Sequence, residues 1–155
     1  VEGGFACVDE TLATLMRNCA RGYVFSSAPS PVVAAGVAAA VEYLRTDTRR
    51  VCSLQANVAQ TRLLLAEADL IPPSAAHDRG PIIRIPVGPE SRAVAAQEEL
   101  ARRGLMVGAI RYPAVARVDA ILRICLTARH TDEHIRILVT SLREVLDGAL
   151  SDAPR

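Results

Sequence analysis

The stretch Ile121-Leu122-Arg123-Ile124-Cys125-Leu126-Thr127-Ala128-Arg129-His130-Thr131 decides how the chain reads. Leu122, Ile124 and Leu126 recur at every second position, the spacing of a strand with one face on a core, which turns Arg123, Cys125 and Thr127 to the opposite face. The alternation stops at Ala128. Thr131, followed by Asp132 and Glu133, then offers a hydroxyl cap and two first-turn carboxylates to a helix predicted from Asp132 to about Leu146. The segment is thus a strand that presents an arginine and feeds a helix. From residue type alone, an exposed strand arginine is commoner than a binding one.

The pattern alternates upstream of this stretch. Pro81 to Val87 predicts a strand through Ile82, Ile83, Ile85 and Val87. Ser91 to Arg103 predicts a helix ended by Gly104, and Leu105 to Ile110 a second strand broken by Arg111-Tyr112-Pro113-Ala114. Further back, Arg49 to about Ala68 reads as a helix with Val51, Leu54, Val58 and Leu65 on one face. It is ended by Ile71-Pro72-Pro73-Ser74, and Ser74 to Gly80 reads as an exposed loop. Ser30 as cap and Pro31 at the first helical position start a helix to about Leu44, whose small apolar residues predict burial. Asp9 caps a helix over Glu10 to Ala20, with Leu12, Leu15, Met16 and Cys19 on one face. Gly3 to Val8 reads as a short strand. Tyr23-Val24-Phe25 is too short for a strand of its own and suits a sheet edge or the cover of a cleft. The expected class is α+β: three strands in a small sheet covered by helices, with a long helical lead-in.

Composition narrows the function. At 155 residues and 50% hydrophobic, the chain is long enough for one ordinary domain, perhaps with an appended segment. A net charge of +1, with arginines scattered rather than clustered, gives no footprint for nucleic acid or an anionic membrane. The small-apolar run Pro31 to Val41 is about half the length a bilayer crossing needs. No leader is visible at Val1-Glu2-Gly3-Gly4, and the first residue is not methionine. Cys7, Cys19, Cys52 and Cys125 include no CxxC pair and stand among apolar residues, which predicts reduced core thiols in a cytosolic, cytoplasmic protein and no metal site. His130 and His134 are four apart but lack the glutamate of an HExxH arrangement, which favours a helix-terminus or surface role. All 18 basic side chains counted as Lys or Arg are arginine. No mechanism that needs a lysine nucleophile or a lysine-bound cofactor can be run from within these residues.

Three places have chemistry-bearing residues. Ser26 and Ser27 stand in a turn just before a helix start, where hydroxyls and backbone amides suit a phosphate, although a plain capping turn is the commoner reading. Arg123 has a planar fork suited to a carboxylate. Arg111-Tyr112-Pro113 suits the lining of a cleft as well as the end of a strand.

Read in order, four segments resemble one family. They are Gly3-Gly4-Phe5; Tyr23 through Pro31 (Tyr-Val-Phe-Ser-Ser-Ala-Pro-Ser-Pro); Arg103 through Val115 (Arg-Gly-Leu-Met-Val-Gly-Ala-Ile-Arg-Tyr-Pro-Ala-Val); and Leu122 through Thr131. The chain resembles the C-terminal part of the α-oxoamine synthases, fold-type I pyridoxal-phosphate enzymes that join an amino acid to an acyl-CoA. The resemblance covers Gly3 to about Leu146.

The resemblance implies a set of roles. Arg123 would bind the carboxylate of the amino-acid substrate. Ser26 and Ser27 would reach the cofactor phosphate of the neighbouring subunit in a homodimer. Arg111, Tyr112 and Pro113 would line the acyl-CoA entrance, and His130 and Thr131 would start the last helix. Ile121 stands where the family commonly has an arginine, and Tyr112 where it often has a proline. The implied organisation is the end of the large cofactor-binding domain with its linking helix over residues 1–46, the small C-terminal domain of the aminotransferase-like fold over 47–150, and a disordered tail over 151–155. The family's Schiff-base lysine would lie a few residues before the Gly-Gly pair, so this stretch would supply no covalent attachment and would not be active alone. A non-catalytic α+β module for binding or oligomerisation, or a decayed fragment of such an enzyme, is the alternative.

Overall fold

The computed structural model describes residues 6–151. The chain divides into two compact units, Val1–Thr48 and Arg49–Arg155.

The first unit is helical. Helix α1 (Glu10–Cys19) starts where Asp9 accepts the backbone N–H of Leu12 at 2.8 Å, as its position before Glu10 predicts. Helix α2 is a single turn, Arg21–Val24, so Tyr23 and Val24 are helical rather than part of a sheet edge. The Ser26 hydroxyl donates back to the Gly22 carbonyl and closes that turn. Helix α3 (Pro31–Thr46) has Pro31 in its first turn. None of the three helices buries a residue. The expectation of a buried helix over Pro31 to Leu44 is therefore corrected: Val32 is 80% exposed, and Val37, Val41 and Leu44 are exposed too. An apolar composition records that a helix can be covered, not that its cover lies within the same unit. Of the strand expected over Gly3 to Val8, residues 3–5 lie outside the described residues, and 6–8 form no regular element.

The second unit holds the core. It runs α4 (Arg49–Glu67), a short 3-10 helix (Pro73–His77), β1 (Ile82–Gly88), α5 (Glu90–Arg102), β2 (Gly108–Ile110), β3 (Ala120–Cys125) and α6 (Asp132–Ser151). The strands form one antiparallel sheet in the order β1-β3-β2, with the quoted stretch at its centre. Alternation holds as read: Ala120, Leu122 and Ile124 are buried while Arg123 and Cys125 are exposed. Ile83, Ile85 and Val87 of β1 point the same way as Leu122 and Ile124, onto Ala93, Ala96 and Leu100 of α5 and Leu138 and Leu142 of α6. The class is α+β, a three-stranded sheet covered on one face by helices.

Local chemistry explains where elements stop. Gly104 has φ +79° and follows α5, and the Leu105 N–H reaches back to the Leu100 carbonyl at 2.9 Å, a glycine-ended helix cap. That cap and the chain leaving it occupy Leu105 to Val107, so β2 begins at Gly108 and is shorter than predicted. Thr131 and His134 cap α6 reciprocally: the His134 N–H donates to Thr131 Oγ1 and the Thr131 N–H donates to His134 Nδ1, each at 3.3 Å. Helix α6 continues to Ser151, the first residue of the predicted tail, whose other residues lie outside the described ones.

Two polar residues of α4 were not singled out by the hydrophobic spacing. Arg62, 3% exposed, donates to the Ala75 carbonyl at 3.1 Å and the Gly80 carbonyl at 2.9 Å, and pairs with Asp78 at 3.1 Å. The segment read as an exposed loop is thus wired to α4, with Ala76 buried. The hydrogen bond from the Gly80 N–H and the field of Arg62 together hold the Asp78 carboxyl below its ordinary value. Asn57, also buried, donates to the carbonyls of Thr127 at 3.0 Å and His130 at 2.9 Å, which fixes the turn that leaves β3. The cysteines are free, as read, but Cys7, Cys19, Cys52 and Cys125 are all exposed, which corrects the expectation of core thiols.

Candidate functional site

The face of the sheet turned away from the helices is open. In register, its rows are Ile82 beside Cys125, then Arg84 beside Arg123 beside Gly108, then Pro86 beside Ile121 beside Ile110. Arg123 sits at the centre because β3 is the middle strand and its even-numbered neighbours are committed to the core. Its side chain lies against Gly108, where a Cβ would meet Arg123 Nε at 3.8 Å. A methyl fits there, and a longer side chain would press on the guanidinium. Among the described residues no hydrogen bond or ion pair engages the Arg123 side chain. An arginine held by its strand, exposed and unbonded, can offer both edges of its fork to a carboxylate.

Arg111, Tyr112 and Pro113 open the loop from β2 to β3, at the end of the same open face. Glu90, at the start of α5, gathers this loop: its carboxylate lies 4.0 Å from Arg111 and 3.9 Å from Arg117, and its N–H donates to the Arg117 carbonyl at 3.2 Å. The Arg117 guanidinium stacks over the Tyr112 ring, 4.5 Å from its centroid. The result is an exposed loop tip of two arginines and an aromatic ring. Strand spacing puts Arg123 about 7 Å along β3 from Ile121, which pairs with Ile110, the residue before this loop. The predicted carboxylate contact and the predicted entrance loop therefore share one surface.

Ser26 and Ser27 belong to the first unit. Both are exposed in the bend between α2 and α3, and the Ser26 hydroxyl proton is engaged by Gly22. Ser30 makes no side-chain bond to the start of α3.

His130 and His134 stand 6.2 Å apart, edge to face, and each Nδ1 accepts a backbone N–H, from Thr127 and Thr131. In the neutral rings the proton is then on Nε2, which makes both rings donors at their outer nitrogens. They line a cleft of about 460 Å³ with Met106, Cys125 and Ile137. None of the residues expected to bind substrate or cofactor lies in that cleft, so the site is placed by strand register and not by cavity size. Among the described residues, no group of three His, Cys, Asp or Glu side chains could hold a metal ion and no helix is long and apolar enough to cross a membrane.

Sequence reasoning singled out Arg123 and the Arg111–Pro113 loop but passed over three other residues on or beside this face. Arg84 is legible only once β1 and β3 are paired. Glu90 and Arg117 could have been found as charges flanking the Tyr112-Pro113 break.

The chain is similar to known proteins. The description of aminotransferase class I and II matches residues 1–142. A biotin biosynthesis bifunctional protein BioWF of Cutibacterium acnes is 99% identical over all 155 residues, which make up 24% of its length. A putative 8-amino-7-oxononanoate synthase of Desulfovibrio desulfuricans is 40% identical over 95% of the chain and 37% of its own length. The chain thus spans about a quarter to two-fifths of these relatives. Among solved structures, 8-amino-7-oxononanoate synthase of Francisella tularensis superposes with a TM-score of 0.71 at 23% identity, over 93% of the chain and 41% of its own. A serine palmitoyltransferase of Sphingomonas wittichii superposes with a TM-score of 0.70 at 22% identity, over 92% and 35%. The structures share the fold, and with the match over residues 1–142 the chain belongs to the aminotransferase class I and II family.

Proposed function

We propose that these residues are the C-terminal portion of a pyridoxal-phosphate-dependent acyl-CoA:amino acid C-acyltransferase of the α-oxoamine synthase type, similar to 8-amino-7-oxononanoate synthase, acting as a cytoplasmic homodimer. The observation that carries the reading is Arg123: central in the sheet, exposed and unbonded on the face the helices leave open. Its role is to hold the amino-acid carboxylate, with the Arg111–Pro113 loop at the acyl-CoA entrance. Residues 1–46 close the large domain and residues 47–150 form the small one. The uncovered apolar faces of α1 and α3 support a first unit that is covered by the rest of the longer polypeptide and by the second subunit.

The residues present fit part of the cofactor. Ser27 offers an exposed hydroxyl to donate to a phosphate ahead of α3, and Ser26 would join it by releasing its bond to the Gly22 carbonyl. No amine for covalent attachment is available, because the chain has no lysine. When bound, pyridoxal phosphate supplies the electron sink for the carbon left behind by the amino-acid carboxylate. What these residues do is orient: Arg123 fixes the carboxylate, and the turn tied by Asn57 holds the end of β3 in place.

The test is Arg123→Ala in the longer polypeptide. Removing a charge-assisted pair worth about 1.5–3 kcal/mol should weaken amino-acid binding by about ten- to a hundredfold and leave cofactor affinity unchanged. Equal losses in both would remove Arg123 from this role. One observation favours a second reading, a non-catalytic binding or oligomerisation module: the absence of lysine. The longer polypeptide mixed with pyridoxal phosphate separates the two readings, since cofactor absorbance that survives gel filtration and borohydride reduction is expected only of the enzyme.

A further inference from the structure

The loop from β2 to β3 ends in side chains that touch one another and not the core. The Arg117 guanidinium lies over one face of the Tyr112 ring, 4.5 Å from its centroid, and Tyr112 is still 55% exposed. Glu90 stands 3.9 Å from Arg117 through one carboxylate oxygen and 4.0 Å from Arg111 through the other, so one acid at the limit of ion-pair distance serves two guanidiniums. Among the described residues, neither arginine has another acid within that distance. Exposed pairs of this length contribute little and exchange readily for a stronger anion. The loop would keep its place in such an exchange, because the Glu90 N–H, and not its carboxylate, holds the Arg117 carbonyl at 3.2 Å.

A guanidinium stacked on an aromatic ring suits a ligand with two parts, an anion for the fork and a flat π-system for the ring. A carboxylate alone would leave the ring unused, and an aliphatic chain would leave the charge unmet. A base that carries phosphates meets both. We propose that Arg117 and Tyr112 form the platform for the nucleotide half of acyl-CoA, with a phosphate replacing Glu90 on Arg117 and the base stacked on the exposed part of the Tyr112 ring. This rests on the reading of the Arg111–Pro113 loop as the acyl-CoA entrance. Neither side chain acts on the reacting carbons. The platform holds the far end of the substrate at the surface, and Glu90 keeps the guanidinium aimed while the platform is empty.

The experiment measures the binding of free CoA and of pantetheine, which lacks the base and its phosphates, to the longer polypeptide by titration calorimetry at low ionic strength, where exposed charges are least screened. CoA should bind the more tightly. Arg117→Gln should shrink that preference by about five- to tenfold, the size of one lost stacked and charge-assisted contact. Tyr112→Ala should shrink it similarly and Tyr112→Phe should keep it, since the ring and not the hydroxyl carries the stack. Glu90→Gln, which removes the competing anion, should tighten CoA about two- to fivefold more than it tightens pantetheine. A merely structural role for the loop would move both ligands by the same factor. If Arg117→Gln does that, or leaves CoA unchanged, the platform is wrong and the entrance stands. If CoA and pantetheine both fail to bind the native polypeptide, the entrance falls and the platform with it.

Discussion

Leu15 and Leu122 are the same residue in opposite circumstances: the first, on α1, is 56% exposed, and the second, on β3, is 0% exposed. The contrast extends to their whole units. Helices α1, α2 and α3 bury no residue, whereas α4, α5, α6 and the sheet enclose a continuous cluster from Val58 to Leu146. Both units have apolar faces at regular spacing, so amphipathicity alone does not distinguish them. What distinguishes them is whether the complementary surface is within the unit. A helix gains most of its stability from packing such a face, so the first unit depends on cover in a way the second does not.

The largest expected effect uses this contrast directly. Leu122→Ala should cost about 2–5 kcal/mol, because it opens a cavity under the central strand. Leu15→Ala should stay within about 0.5 kcal/mol in the same urea unfolding measurement on the isolated chain. Equal losses would break the comparison. Next is Asn57→Ala, which leaves the carbonyls of Thr127 and His130 without their donor and should cost about 1–3 kcal/mol. Arg84→Gln should raise stability by about 0.2–1 kcal/mol, since it removes a like-charge cross-strand pair, and a melting curve at low salt would show it.

The smallest effect is in acid. Asp78 has a carboxyl held below its ordinary 3.8, so the folded chain keeps it ionised where the unfolded chain has already taken up a proton. The stability it contributes is complete above that ordinary value and is lost as pH falls through the lowered one. Asp78→Asn should therefore remove this contribution at neutral pH and flatten the acid limb, so that the two proteins differ above the ordinary value and converge in acid, which acid titrations of both would measure.

The centre of the fold was legible because burial on one side imposes a period of two. Leu122, Ile124 and Leu126 announced β3 and, with it, the direction of Arg123. The Gly104 cap and the Thr131 start of α6 were legible because backbone geometry favours those residues there. Arg62 and Asn57 were not, since a buried arginine or asparagine is explained only by carbonyls that come from distant segments, 13 to 73 residues away. Arg84 is legible as a neighbour of Arg123 only in register. The exposure of α3 and of the four cysteines was illegible for the reason the two units differ: sequence records the appetite for cover, not its source.

Native-state hydrogen exchange on the 155-residue chain tests that difference most directly. The account predicts that the amides of Leu122, Ile124 and Leu142 exchange only through global unfolding, while those of α1 and α3 exchange far faster, by local opening. Protection of α3 equal to that of β3 would contradict it.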